Sequence, residues 1–171
     1  NGENYESVRY EGFGIEGVGL IVETLTDNRN RTAGDIRSVF SKHGGNLGET
    51  GSVSFMFNHL GIVKFPKSAG NFDDIFEIAT DAGALDCDLV EDEYEISCST
   101  DDLHQVAENI EKKLSCDITS QLTWKPSNQI PLNKEKAVKI IEMIEVLEDH
   151  DDVQEVFANF DLPDEVLNEL Q

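Results

Sequence analysis

Positive charge is what this sequence has least of. Thirteen Lys and Arg stand against 35 Asp and Glu in 171 residues, a formal net charge of -22 at pH 7. A protein that docks broadly on DNA, RNA or anionic lipid neutralises phosphates with a basic patch, so most of this surface is excluded from that role. Cysteine is scarce too. Cys87, Cys98 and Cys116 are odd in number and show no CxxC spacing, which argues against a disulfide framework and for reduced thiols acting as small hydrophobes. The histidines at 43, 59, 104 and 150 lack metal-ligand spacing. No apolar run approaches the roughly 18 residues of a membrane span, and no signal-peptide pattern opens the sequence, so no membrane partner is expected. The expected location is cytoplasmic, or the mitochondrial matrix in a eukaryote. The first residue is Asn1 rather than Met, and a piece of a longer protein is expected.

What is present reads as a folded protein, with 39% hydrophobic and 28% charged residues. Catalytic signals are weak. Ser41, Lys42 and His43 are adjacent, but neighbours on a helix point about 100° apart and make no nucleophile–base pair. Gly12-x-Gly14-x-x-Gly17 has the letters of a dinucleotide fingerprint, yet it precedes its strand instead of following one and opening a helix. His150-Asp151-Asp152 reads as a solvated acidic helix end rather than a cation site. No catalytic residue, metal or cofactor is expected.

Periodicity supplies the order of elements. Val8–Tyr10 predicts a short strand closed by the glycine-punctuated turn Gly12–Gly17, and Val18–Thr24 a two-sided central strand. After a loop at Asp27–Asn30, Thr32-x-x-Asp35 has capping-box spacing for a helix carrying Ile36, Val39 and Phe40, which stops at Gly44-Gly45. Ser52–Phe57 alternates as a strand, with Val53, Phe55 and Phe57 inward, and His59–Gly61 breaks it before a new strand over Ile62–Phe65.

The next stretch is regular. Asn71 caps a helix with Phe72, Ile75, Phe76 and Ala79 on one face. Leu85–Val90 and Tyr94–Ser99 pair around Glu91–Glu93, with Cys98 in phase with Tyr94 and Ile96. Ser99 or Thr100 caps a second helix, and Ile118–Trp124 alternates as a strand. That order is β-α-β-β-α-β, the ferredoxin-like arrangement. Asn133–Asp149 is a long helix with Ala137, Ile140, Ile141, Ile144 and Leu147 inward, Val153–Phe160 a last strand, and Leu162–Leu170 an acidic amphipathic tail. The expected fold is α+β in two domains: residues 60–131 form a ferredoxin-like domain inserted into a discontinuous α+β domain of residues 1–59 plus 132–171.

One window reverses the charge. Between Asn28 and Gly48, Arg29, Arg31, Arg37 and Lys42 face only Asp35, a local charge of +3 that leaves -25 for the rest. Backbone N–H groups at a helix start attract anions, and guanidiniums clamp phosphate bidentately. Asn28 and Asn30 add donors and acceptors. Two readings stay open: an anion or nucleic-acid phosphate site, or arginines that hold acidic neighbours of their own fold.

Three stretches carry a family resemblance: Leu25-Thr-Asp-Asn-Arg-Asn-Arg-Thr32, Phe40-Ser-Lys-His-Gly-Gly-Asn-Leu-Gly48 and Gly51-Ser-Val-Ser-Phe-Met-Phe57. Together with Tyr5-Glu6-x-x-Arg9-Tyr10-Glu11-Gly12 and Trp124-x-Pro126, they closely resemble the YebC family over essentially the whole chain. That family includes bacterial proteins labelled probable transcriptional regulators and a mitochondrial translational activator of cytochrome c oxidase.

The resemblance implies a basic helical N-terminal domain followed by two α+β domains, the third inserted in the second. This chain looks like the latter two. It further implies a non-enzymatic regulator of gene expression, either DNA-binding or ribosome-associated, whose partners are DNA or ribosomal RNA, contacted mainly through the absent N-terminal domain. A protein partner on the acidic faces is the alternative. Asn28, Arg29, Arg31, Thr32, Lys42 and His43 match the family motif and, with Arg37 from the basic window, are the expected nucleic-acid contacts.

Overall fold

The computed structural model describes residues 4–170; residues 1–3 and 171 of the expected outer domain lie outside it. In chain order the first elements are β1 (Glu6–Phe13), β2 (Gly19–Thr26), α1 (Arg29–Lys42), β3 (Asn46–Leu47) and β4 (Phe57–Pro66). Next come α2 (Phe72–Ala82), β5 (Asp86–Val90), β6 (Glu93–Cys98), α3 (Leu103–Lys113) and β7 (Thr119–Pro126). The chain closes with β8 (Ile130–Pro131), α4 (Lys134–Glu148), β9 (Val153–Ala158), β10 (Phe160–Asp161) and α5 (Asp164–Leu170). By contact density these divide into two units, one running up to Asn58 and resuming at Lys125, the other His59–Trp124.

The outer unit is built on a sheet of order β3-β1-β2-β9 with a short parallel pair, β8 and β10. β2 is the two-sided strand its sequence predicts. Leu20 and Val22 point into a core with Ile36 and Phe40 of α1 and with Ala137, Ile140, Met143 and Leu147 of α4. The opposite face is covered by the chain after β3: a Cβ on Gly19 would lie 2.8 Å from Val53 Cγ1 and 2.9 Å from Met56 Cε. Removing these branched and long side chains from water is the main stabilising term of the unit. α1 stops where glycine allows it. Gly44 takes φ +79, and a Cβ at Gly45 would collide with the Phe13 carbonyl oxygen.

The unit His59–Trp124 runs β4, α2, β5, β6, α3, β7, with sheet order β5-β6-β4-β7. This is the ferredoxin-like arrangement, and the α+β class is as expected. Val63, Phe65, Tyr94, Ile96 and Cys98 meet Ile75, Ala79, Val106 and Ile110 of the two helices in its core.

Several local expectations are corrected. β1 extends through Gly12 and Phe13, because its full length pairs in register with β2. The capping box Thr32-x-x-Asp35 is not used. α1 starts at Arg29, because Asn28 accepts the Arg31 N–H at 3.1 Å and so takes the cap earlier. Ser52–Met56 is not a strand; it turns and closes a 3-10 helix at Ser54–Met56, burying Val53 but leaving Phe55 74% exposed. His59–Gly61 does not break the chain, and β4 is continuous from Phe57. In α2, Phe72 and Phe76 stay about half exposed, and in α4 it is Met143, not Ile141 or Ile144, that is fully buried.

The turn after Gly48 replaces the expected strand because Glu11 holds it. This carboxylate is buried in β1, 3.0 Å from Val53 N, 2.7 Å from Ser54 N and 3.0 Å from Arg9 Nε. Burial alone would raise its pKa. The backbone N–H groups of Gly51, Val53 and Ser54 and the Arg9 guanidinium outweigh that and hold it at about 2, against an ordinary 4.5. A depressed pKa stabilises the fold above the unfolded value and loses that contribution as the pH falls from 4.5 toward 2. Glu11→Gln places an amide against these donors and is expected to cost about 2–4 kcal/mol at neutral pH. In paired urea titrations, the gap between the two proteins should narrow at pH 3 relative to pH 7.

Candidate nucleic-acid interface

The start of α1 is built as a joint rather than an open anion site. Asn28 N–H donates to Thr26 Oγ1 at 2.9 Å, and Asn28 Oδ1 caps the helix. Thr32 Oγ1 lies 2.7 Å from Thr26 Oγ1 and 2.7 Å from Asp152 Oδ2, with both hydroxyls buried. Each hydroxyl has one hydrogen, so Thr32 donates to the carboxylate, the stronger acceptor, and Thr26 donates to Thr32. Arg31 Nη2 adds ion pairs to Asp152 at 3.0 Å and Asp27 at 3.3 Å. The Thr32 hydroxyl bond, then Arg31, hold Asp152 below its ordinary 3.8 against the opposing effect of burial. Leu25 N–H donates to the Asp152 carbonyl at 2.9 Å, and His150 Nε2 meets Asp35 at 2.8 Å.

Three of the expected contacts are therefore committed internally: Asn28 as cap, Thr32 as buried donor, Arg31 as partner of two aspartates. Thr32, with no exposed surface, cannot itself reach a ligand. Arg29 pairs with Glu6 at 3.2 Å, but both side chains are more than half exposed, and such a pair is readily exchanged.

The other half of α1 differs. Arg37 and Lys42 are exposed and, among the described residues, have no ion-pair partner. His43 follows as the C-cap. Its Nδ1 lies 2.8 Å from the Val39 carbonyl, which only accepts, so Nδ1 carries the hydrogen and Nε2 is left as the second ring nitrogen. Ile15, Lys42, His43 and Gly44 line a cleft of about 300 Å³ with Lys139 and Glu142 of α4. Lys139 also lacks an ion-pair partner among the described residues, whereas Lys136 is 3.7 Å from Glu16. Lys139 is absent from the contacts expected from sequence. Its only signal was the lysine run 134, 136, 139 at the start of α4, which says nothing of the helix it faces.

Among the described residues, no three His, Cys, Asp or Glu side chains converge to hold a metal ion, and no helix is long and apolar enough to cross a membrane. What the arrangement offers is cationic donors around a small cleft.

The family model for the TACO1/YebC second and third domain matches residues 5–160. The chain belongs to the TACO1/YebC family. It is 49% identical to a probable transcriptional regulatory protein of Zymomonas mobilis over 170 residues, covering 99% of this chain and 68% of that protein. It is also similar to the crystal structure of a conserved hypothetical protein from Aquifex aeolicus, with a TM-score of 0.84 at 41% identity over 95% of this chain and 68% of that one. The TACO1/YebC motif around Leu25–Gly48 therefore contains two kinds of residue: those that tie α1 to the loop before β9, and those that stand free at its far end.

The two kinds separate by experiment. Thr32→Val leaves Asp152 without its hydroxyl donor and is expected to lower unfolding free energy by about 2 kcal/mol, whereas Lys42→Ala should leave the urea midpoint essentially unchanged. The comparison is read from urea unfolding curves followed by circular dichroism.

Proposed function

We propose that this chain belongs to a non-enzymatic regulator of gene expression that contacts nucleic-acid phosphates through the C-terminal half of α1 and the facing side of α4, with Arg37, Lys42, His43 and Lys139 as contact residues. One observation carries the reading: in a protein of net charge -22, Arg37, Lys42 and Lys139 are exposed cations without carboxylate partners among the described residues. Lys42 and Lys139 share one cleft, and unneutralised cations on an acidic protein are the electrostatic footprint of an anionic partner. The regulatory label of the Zymomonas relative supports it. A footprint this small suits a few phosphates of a flexible strand better than the length of a duplex, because the flanking carboxylates repel a long polyanion. Arg29, once released from Glu6, extends the contact along the same helix.

The expected alternative, an acidic interaction module with a structural arginine loop, has its own support in Arg31 and Thr32, which serve the fold. The two readings thus apply to different halves of α1.

Crosslinking of the intact protein in cells, followed by identification of the attached nucleic acid, tests the proposal. Ribosomal RNA would point to translation and discrete promoter DNA to transcription. The combined Arg37→Ala, Lys42→Ala and Lys139→Ala variant should crosslink poorly and keep its thermal stability. On a single-stranded probe, the slope of log affinity against log salt should be shallower by about 2. Crosslinking equal to the parent protein would remove the assignment.

A further inference from the structure

We propose a second, oppositely charged docking surface on the unit His59–Trp124: the edge formed by α2 and β5, which fits a lysine- and arginine-rich protein segment carrying apolar anchor residues. Phe72 and Phe76, one turn apart on α2, are 42% and 49% exposed, with ring centroids 5.9 Å apart. The Phe72 ring lies 6.4 Å from that of the buried Tyr94. Tyr94 pairs in register with Leu89 of β5, and in-register antiparallel partners point to the same face. Leu89, 39% exposed, therefore emerges beside the same aromatic floor. Phe76 and Phe72 thus continue to Tyr94, and Leu89 lies beside Tyr94 on the same face of the sheet. Single exposed hydrophobes are ordinary, but a contiguous strip on a water-facing surface marks a contact site.

The strip borders an open sheet edge. In the order β5-β6-β4-β7, β5 has β6 on one side only; Asp86 Oδ1 takes the Cys87 N–H at 2.9 Å, and the remaining outer backbone groups face no strand and can meet an added one. Charge selects the occupant. Residues 72–93, spanning α2, β5 and the turn to β6, contain nine Asp and Glu and no Lys, Arg or His. Asp73 and Asp74 lie in the first turn of α2, Asp86 and Asp88 on β5, and Glu91 and Asp92 in the turn.

A second copy docked here would set aspartates against aspartates, which is how edge strands avoid pairing with themselves. A nucleic acid or an anionic membrane is repelled in the same way. A cationic segment gains from both features, its apolar residues on the strip and its ammonium or guanidinium groups on the acidic rim. This surface shares no residue with the α1–α4 cleft, so either proposal stands if the other fails.

Selection of short random displayed peptides against the full chain tests it. Enriched peptides should combine Lys or Arg with aromatic or aliphatic residues, bind more weakly as salt rises, and protect backbone amides of residues 72–93 from hydrogen exchange. Phe72→Ser with Phe76→Ser, and separately Asp73→Lys with Asp88→Lys, should each weaken the selected peptide by about tenfold or more. The charge-reversed pair should preserve the thermal unfolding midpoint and keeps the test sharp if the serine pair, which removes half-buried rings, perturbs folding. No enrichment, acidic or neutral binders, protection elsewhere, or self-association of the chain through this edge would each overturn the proposal.

Discussion

Asp152 stands where three segments of the outer unit meet: the end of β2, the first turn of α1 and the loop that opens β9. Its backbone carbonyl takes the Leu25 N–H, and its carboxylate takes the Thr32 hydroxyl and the Arg31 guanidinium. A carboxylate that is only partly solvated needs donors to stay ionised, and a hydroxyl buried beneath it needs an acceptor. Each group answers the other's requirement, so the position of α1 on the sheet and the return of the chain into β9 are set together. Everything the exposed face of α1 presents inherits its orientation from that joint.

Glu11 performs the same service on the other face of the sheet. Both carboxylates are held ionised by the donors they organise, Glu11 by successive backbone N–H groups and Asp152 by a threonine and an arginine. In a chain with so large an excess of acid, most carboxylates gain nothing from position. These two are distinguished by burial, and each fixes an otherwise irregular stretch of backbone. With Arg9, Arg31 and Lys136 committed to carboxylates, Lys42 of α1 and Lys139 of α4 share one cleft, while residues 72–93 of the other unit carry only acidic charge in sequence. A single acidic protein thus presents two surfaces of opposite sign.

Much of the fold was legible because its signals are local. Asn71 and Asn133 cap their helices through N–H groups three residues on, a distance any sequence window contains. The β-α-β-β-α-β order follows from the change between twofold and helical periodicity. The misreadings have a common cause. Ser52–Phe57 alternates like a strand, but no neighbouring strand was there to pair with it, and Glu11, more than 40 residues earlier, draws its N–H groups inward. Thr32 and Asp35 have capping-box spacing, but Asn28 reaches the free N–H groups first, and Thr32 turns to Asp152, 120 residues away.

The candidate site divides along the same line. Periodicity alone determined an α+β protein and composition an acidic one with a single basic stretch around α1, while the family was legible only through the resemblance of its motif stretches. The tertiary structure decided which of those cations are available. Arg31 is neutralised by Asp152 across 121 positions of chain, and Lys139 is brought to Lys42 and His43 by the packing of α4 on α1. Ion pairing depends on which side chains lie within about 4 Å after folding, and a linear pattern carries the sign of each charge but not the neighbour that meets it.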